Sequence, residues 1–236
     1  MKIKIFVYNS NIINIIKKMS YTSQSFQQSF YQSFDKLTLD QALQQSANES
    51  YSSPYFKLKD TRFESFMINS QLRSKYVKKY SWAIPTREVI DKIYNATSGM
   101  SILEVGAGNG FWASLLTKRG STIIPTDSFE SHGFTQDNTF MPIENLEAVQ
   151  AIQAHPECEA LMLGWPPYDT DMAEKALKAF KGSIVIYIGE GHGGCNANDA
   201  FFKELHKNWD ELRIDDDAYV PNWDGIHDGL EIHQRK

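Results

Sequence analysis

Residues Ile102 to Gly110 read ILEVGAGNG, and Phe111 to Arg119 continue as FWASLLTKR. A short apolar run that closes on an acid, then glycines at alternate positions, then a stretch of helical period, predicts a strand, a tight turn and a helix start. Gly106, Gly108 and Gly110 permit positive φ and let a ligand approach the backbone, while the start of a helix offers unpaired N–H groups. The turn therefore reads as a cofactor cradle behind Glu104, although a tight strand–helix turn without a ligand satisfies the same glycines.

Working outward, Gly99 closes an amphipathic helical run, REVIDKIYNA, that Pro85 and Thr86 open. Beyond it, short apolar runs alternate with helical ones, the pattern of a parallel sheet built from strand–helix units. Strands are predicted at residues 101–105, 122–126, 139–143, 160–165, 183–188, 212–220 and 230–233, with helices at 111–118, 146–154, 172–180 and 199–209. The fold class is thus α/β, a doubly wound, seven-stranded and mostly parallel sheet with an N-terminal helical extension.

The first choice of cofactor is decided by the residue after the glycines. A dinucleotide fingerprint needs a small third residue, G-x-G-x-x-G/A, and that position holds Phe111, which disfavours a nucleotide-dependent oxidoreductase. The spacing E-x-G-x-G-x-G instead resembles the first motif of class I, Rossmann-like S-adenosylmethionine (SAM) dependent methyltransferases. The resemblance implies that Glu104, Gly106, Gly108 and Gly110 pass beneath the methionine part of SAM. It also implies an acid at the end of the second strand for the ribose hydroxyls, and Asp127 stands there. A carboxylate accepts two hydrogen bonds from a diol, although a solvated turn aspartate fits the same TDS stretch. Glu144, at the end of the expected third strand, falls where such enzymes carry a polar residue near the adenine; a surface or capping glutamate fits it equally.

The fourth predicted strand runs into Trp165-Pro166-Pro167-Tyr168-Asp169. This loop resembles the (Asp/Asn/Ser)-Pro-Pro-(Tyr/Phe/Trp) loop of amino-methyltransferases, in which the first side chain and a prolyl carbonyl hold the target NH2. Here Trp165 replaces the polar acceptor, so Asp169 or backbone carbonyls take that role on this reading, with Pro166 against the cofactor and Tyr168 against a planar substrate. A turn merely stiffened by Pro166 and Pro167 is the plain alternative. The fifth strand leads into GEGHGGC, Gly189 to Cys195, whose glycines predict an exposed close-approach loop carrying Glu190 and His192 as acid or base candidates, or as solvated loop residues. Upstream, Tyr80 and Trp82 of YSWAIPT either wall the cofactor site or pack as ordinary aromatics. The C-terminal PNWDGIHDGLEIHQRK resembles the closing antiparallel hairpin of the same fold, with Trp223 and His227 near the substrate side, and implies an antiparallel last strand.

Taken together, SWAIPT, LEVGAGNGFWA, WPPYD, IGEGHGGC and the FF-containing helix resemble a group of small methyltransferase-like proteins, over about residues 80–236. The resemblance implies SAM as cofactor and transfer of its methyl group to an unidentified acceptor. An amino nitrogen on a planar group, in a nucleobase, an RNA end or a protein side chain, is among the candidates. A non-catalytic SAM-binding module keeps the same cofactor residues and is the alternative.

Composition bounds the rest. A length of 236 residues suits one sizeable core with an appendage. Residues 1–53, rich in Ser, Gln and aromatics, are expected to form a partly ordered tail. Phe26, Phe30 and Phe34 lie at a helical spacing within it, residues 54–99 are expected to form a helical lid, and residues 100–236 the catalytic domain. The formal net charge of −5 provides no global field for a long phosphate backbone. Cys158 and Cys195, the chain's 2 cysteines, give neither a disulfide framework nor a zinc site, so a reducing, cytoplasmic setting is expected, with no metal. The broken apolar stretch of residues 1–18 reads as neither a secretory signal nor a membrane span. The oligomeric state is left open.

Overall fold

A computed structural model describes residues 73–74, 76–130, 134–212, 220, 222–223 and 225–236. Helical backbone at residues 73–74 and 76–79 leads through the SWAIPT segment into α1, Arg87–Ala96. Thr86 caps this helix by accepting from the Val89 N–H at 3.1 Å, and Val89, Ile90 and Ile93 form its buried stripe.

The remaining elements follow in the order β1 (Ser101–Val105), α2 (Phe111–Arg119), β2 (Thr122–Asp127), β3 (Glu144–Asn145), α3 (Ala148–Ala154), β4 (Ala160–Gly164), α4 (Met172–Ala179), β5 (Ile184–Glu190), α5 (Asp199–Asn208), β6 (Trp209–Glu211) and β7 (Asp228–Arg235). They build one seven-stranded sheet in the order β3-β2-β1-β4-β5-β7-β6. β7 runs antiparallel to both β5 and β6, and the strands from β3 to β5 are parallel. The strand order reverses between β1 and β4, where an open α/β sheet leaves a crevice at the strand carboxyl ends.

The central strands are apolar on both faces because both are covered. Ile102, Met162, Ile186 and Ile232 point to the face packed by α1 and α2, while Leu103, Leu161, Val185 and Tyr187 point to the one packed by α3, α4 and α5. Burying each such side chain contributes about 1.5–3 kcal/mol.

Two expected strands are corrected. The run at residues 139–143 is irregular, and the third strand forms at Glu144–Asn145 instead. Pro142 has no N–H to donate to a ladder, and Met141 and Ile143 pack over Gly110 instead of pairing. The sixth strand starts at Trp209, directly from α5, and not at Leu212; Leu212 is irregular and residues 213–219 lie outside the described residues. The last strand is longer than expected, spanning Asp228–Arg235. The proposed tail of residues 1–53 and the first part of the lid, residues 54–72, also lie outside the described residues. No helix among the described residues is long and apolar enough to cross a membrane.

Candidate functional site

The glycine turn has the backbone its sequence requires: φ is 70° at Gly106, 59° at Gly108 and 74° at Gly110, all left-handed. Gly110 is the N-cap of α2 and contacts the Ile143 side chain, so its role is to shape the turn and it does not line the cleft. Gly106 and Gly108 do line it. A Cβ on Gly108 would sit 2.9 Å from the Phe134 ring, and one on Gly106 would sit 3.3 Å from Met172.

Asp127 ends β2 beside this turn. Its Oδ2 accepts from the Gly108 N–H at 2.8 Å and its Oδ1 from the Phe129 N–H at 2.7 Å. The carboxylate therefore both faces the cleft and tethers the turn. The cleft has a volume of about 430 Å3, the size of a small-molecule site, and runs from Asp127, Phe134 and Leu146 across the glycines to Trp82, Trp165 and Pro166. Phe134 and Leu146 were not singled out from the sequence; the signal available was only an apolar residue on either side of the misread third strand.

A recess of about 40 Å3 adjoins the cleft, sharing Gly106 and Trp82 with it and lined also by Tyr80 and Glu104. Glu104 is 3% exposed, and its Oε2 has no hydrogen-bond partner among the described residues. Burial, with a smaller push from the Asp127 charge, raises its pKa to about 8. The N-terminal segment is fastened here: Asn109 donates from Nδ2 to the Lys79 carbonyl at 3.0 Å, and the Tyr80 ring packs 5.1 Å from Phe111 and 6.0 Å from Phe140.

The β4 loop brings an unforeseen arrangement. Trp165 adopts φ 53°, an uncommon conformation for a bulky residue. Its ring stacks on Trp82 with centroids 5.0 Å apart and an angle of 13°, and its indole N–H donates to Asp228 Oδ1 at 2.7 Å. The Pro166 carbonyl accepts from the Ala197 N–H at 2.9 Å, which binds the WPPYD loop to the GEGHGGC loop. Tyr168 is 63% exposed and, with Asp169, borders a shallow depression that shares Thr170 and Asp171 with the cleft and extends toward Asn198.

Several expected site residues are placed elsewhere. Glu144 begins β3 and points at His155 Nε2, 2.8 Å away, outside the residues that line the cleft. Glu190 is 6% exposed: Oε2 accepts from the Cys195 N–H at 2.8 Å and Oε1 from the His227 N–H at 3.0 Å. Burial pushes its pKa up, and those backbone hydrogen bonds outweigh burial and hold it below the usual carboxylate range. An acid so held is a poor proton acceptor, and it folds its own loop. His192 lies on the exposed side of that loop, 3.1 Å from Asp199. No group of three His, Cys, Asp or Glu among the described residues is arranged to hold a metal ion.

Asp228, which the sequence did not flag, is a second buried acid beside Glu190. Burial raises its pKa to about 7 against the opposing hydrogen bond from Trp165. It starts β7 and pairs in register with Glu190 at the end of β5.

No family model matches the chain, and no curated protein does. Among solved structures it is similar to magnesium protoporphyrin IX methyltransferase (ChlM) from Synechocystis PCC 6803 with bound SAM, at 10% identity over 92% of this chain and 100% of that one, with a TM-score of 0.41. It is similar also to precorrin-6y C5,15-methyltransferase from Geobacter metallireducens GS-15, at 11% identity over 65% of this chain and 91% of that one, TM-score 0.41. A third is TehB from Haemophilus influenzae, at 14% identity over 70% and 67% respectively, TM-score 0.41. The chain is a Rossmann-like α/β protein with one antiparallel strand in a seven-stranded sheet.

Proposed function

We propose that the chain is a SAM-dependent methyltransferase acting on an acceptor yet to be identified. The observation that carries this reading is a pair of carboxylates at opposite ends of one left-handed glycine turn, Asp127 in the cleft and the orphaned Oε2 of Glu104 in the recess. A ligand with a ribose diol at one end and an ammonium at the other satisfies both. When bound, SAM supplies an electrophilic methyl group on a sulfonium.

The chain's own residues bind and orient. Asp127 accepts from the two ribose hydroxyls, Gly106 and Gly108 leave room for the ligand over the turn, and Phe134 and Leu146 receive the adenine in place of Glu144. Glu104 gives up its proton and receives the ammonium, and Tyr80 and Trp82 close the recess. On the acceptor side, Trp165 and Pro166 set the wall, while Tyr168 and Asp169 lie at its outer rim, where an incoming substrate makes its first contact. Positioning of acceptor and methyl group in line is worth roughly 7–11 kcal/mol in favourable cases, so no strong base is required for the reading to hold.

Two observations favour a second reading, a SAM-binding module without turnover: Trp165 stands where a polar acceptor side chain is expected, and the Glu190 carboxylate is occupied by backbone N–H groups.

Calorimetry with SAM and S-adenosylhomocysteine tests the cofactor, in buffers of different ionisation enthalpy. Since the Glu104 carboxyl is protonated below about pH 8, binding near pH 7 is expected to release a proton in wild type and none in Glu104→Gln. Binding of neither ligand defeats the proposal. Transfer of tritiated methyl groups to fractions of a cell extract then separates the two readings, because binding without transfer leaves only the module.

A further inference from the structure

We infer that Trp82, Trp165 and Asp228 form a box for a guanidinium group on the acceptor side of the cleft, and that the chain's own Arg73 sits on it as a displaceable gate. The inference rests on the methyltransferase reading only for the word acceptor, because the box is defined by groups that need no cofactor.

A guanidinium requires a flat π face, and a carboxylate that accepts from its planar fork. Both are assembled here from distant parts of the chain. Trp82 and Trp165 stack nearly parallel, and both line the cleft. The Arg73 guanidinium carbon lies 5.4 Å from one ring centroid and 5.2 Å from the other, within cation–π range of both. Behind the rings, Asp228 is 6% exposed and receives the Trp165 N–H on Oδ1. Its second oxygen, Oδ2, has no hydrogen-bond partner among the described residues.

Arg73 occupies this box imperfectly. Its Nε is buried and makes no hydrogen bond among the described residues, although Asp228 is near enough for each charge to bear on the other's ionisation. An arginine built in for stability would donate to the free oxygen, since burying an unpaired donor beside an unpaired acceptor is costly. One orphan donor and one orphan acceptor in the same cluster mark an occupant that covers the rings without engaging the acid. A guanidinium that displaces Arg73 from the rings and donates to the free Asp228 oxygen engages both. The Trp165 indole N–H donates to Asp228, 63 residues away, which fixes the ring beside the acid.

The test titrates agmatine, its neutral ureido analogue N-carbamoylputrescine and an acetylated Gly-Arg-Gly peptide against cofactor-free protein, following tryptophan fluorescence. Arg73→Gln is expected to bind a guanidinium probe at least about ten-fold more tightly than wild type, since the competing cation is gone. The gain should vanish in Arg73→Gln/Asp228→Asn and be absent for the ureido analogue. Tighter binding of the peptide than of agmatine assigns the guanidinium to a polypeptide, and the reverse to a small molecule; either supports the box. A folded Arg73→Gln that shows no saturable response, or responds equally to the ureido compound, overturns it. Should Arg73→Gln not fold, wild type is titrated instead against Asp228→Asn, and equal responses overturn the inference. Because no cofactor is present, failure here leaves the SAM calorimetry untouched, and failure there leaves this result standing.

Discussion

Two glycine-rich loops leave the carboxyl ends of strands in the same sheet, and they are built for opposite purposes. The Gly106–Gly110 turn after β1 is held by an acid from another strand, Asp127, and opens onto a cleft of about 430 Å3. The Gly189–Gly194 loop after β5 is held by an acid of its own, Glu190, and closes on it; a Cβ on Gly194 would lie 2.4 Å from the Glu190 Cβ. In the first loop, glycine leaves the space over the turn open to the cleft. In the second, it makes room for the protein's own carboxylate. Glycine content thus marks close approach, and the identity of the approaching group has to come from elsewhere.

The sharpest way to break this contrast is Asp127→Ala. On the proposed reading it removes two charge-assisted hydrogen bonds to the ribose, each worth about 1.5–3 kcal/mol, so SAM affinity should fall by roughly a hundred-fold or more in calorimetry. Because Asp127 also tethers the Gly108 and Phe129 N–H groups, some thermal stability should be lost as well. Unchanged affinity would remove the cofactor role from the first loop.

Next in size is Glu190→Gln, which sets an amide NH2 against one of two backbone donors, Cys195 N–H or His227 N–H. Unfolding free energy should drop by about 2 kcal/mol in urea melts at pH 7, with SAM affinity unchanged. The pH dependence has a definite sign. Glu190 has a lowered pKa in the folded state, so its contribution is present above the unfolded carboxylate value and fades as pH falls through the folded one. The gap between wild type and variant should therefore narrow on acidification below about pH 4. A loss of SAM binding with intact stability would mean that the second loop faces a ligand after all.

The smallest expected effect is His192→Ala. The side chain is 53% exposed and its ion pair with Asp199 is on the surface, so stability should change by no more than about 0.5 kcal/mol in the same melts. A large fall in methyl transfer with normal stability would instead return His192 to the reaction.

The limits of the sequence follow the range of each interaction. The first loop was legible because its parts are local or regularly spaced: Glu104, three glycines, α2, and Asp127 one strand further on. The third strand was misread because an apolar run at residues 139–143 carries the composition of a strand while Pro142 breaks its hydrogen bonding and Gly110 draws its side chains away. The glycine-rich loop at the end of the fifth strand makes Glu190 an acid or base candidate, and nothing nearby in sequence shows that the His227 N–H, 37 residues on, reaches its carboxylate.

By itself, then, the sequence determined the α/β class, the glycine turn and the acid that faces it, because strand alternation, helix period and positive φ are demands that a few neighbouring residues either meet or fail. The tertiary structure alone decided which loop opens onto the cleft, and it brought Arg73, Trp82, Trp165 and Asp228 to one place. Those contacts depend on strand order, with β7 inserted beside β5, and strand order is set by packing of the whole sheet rather than by any local stretch of chain.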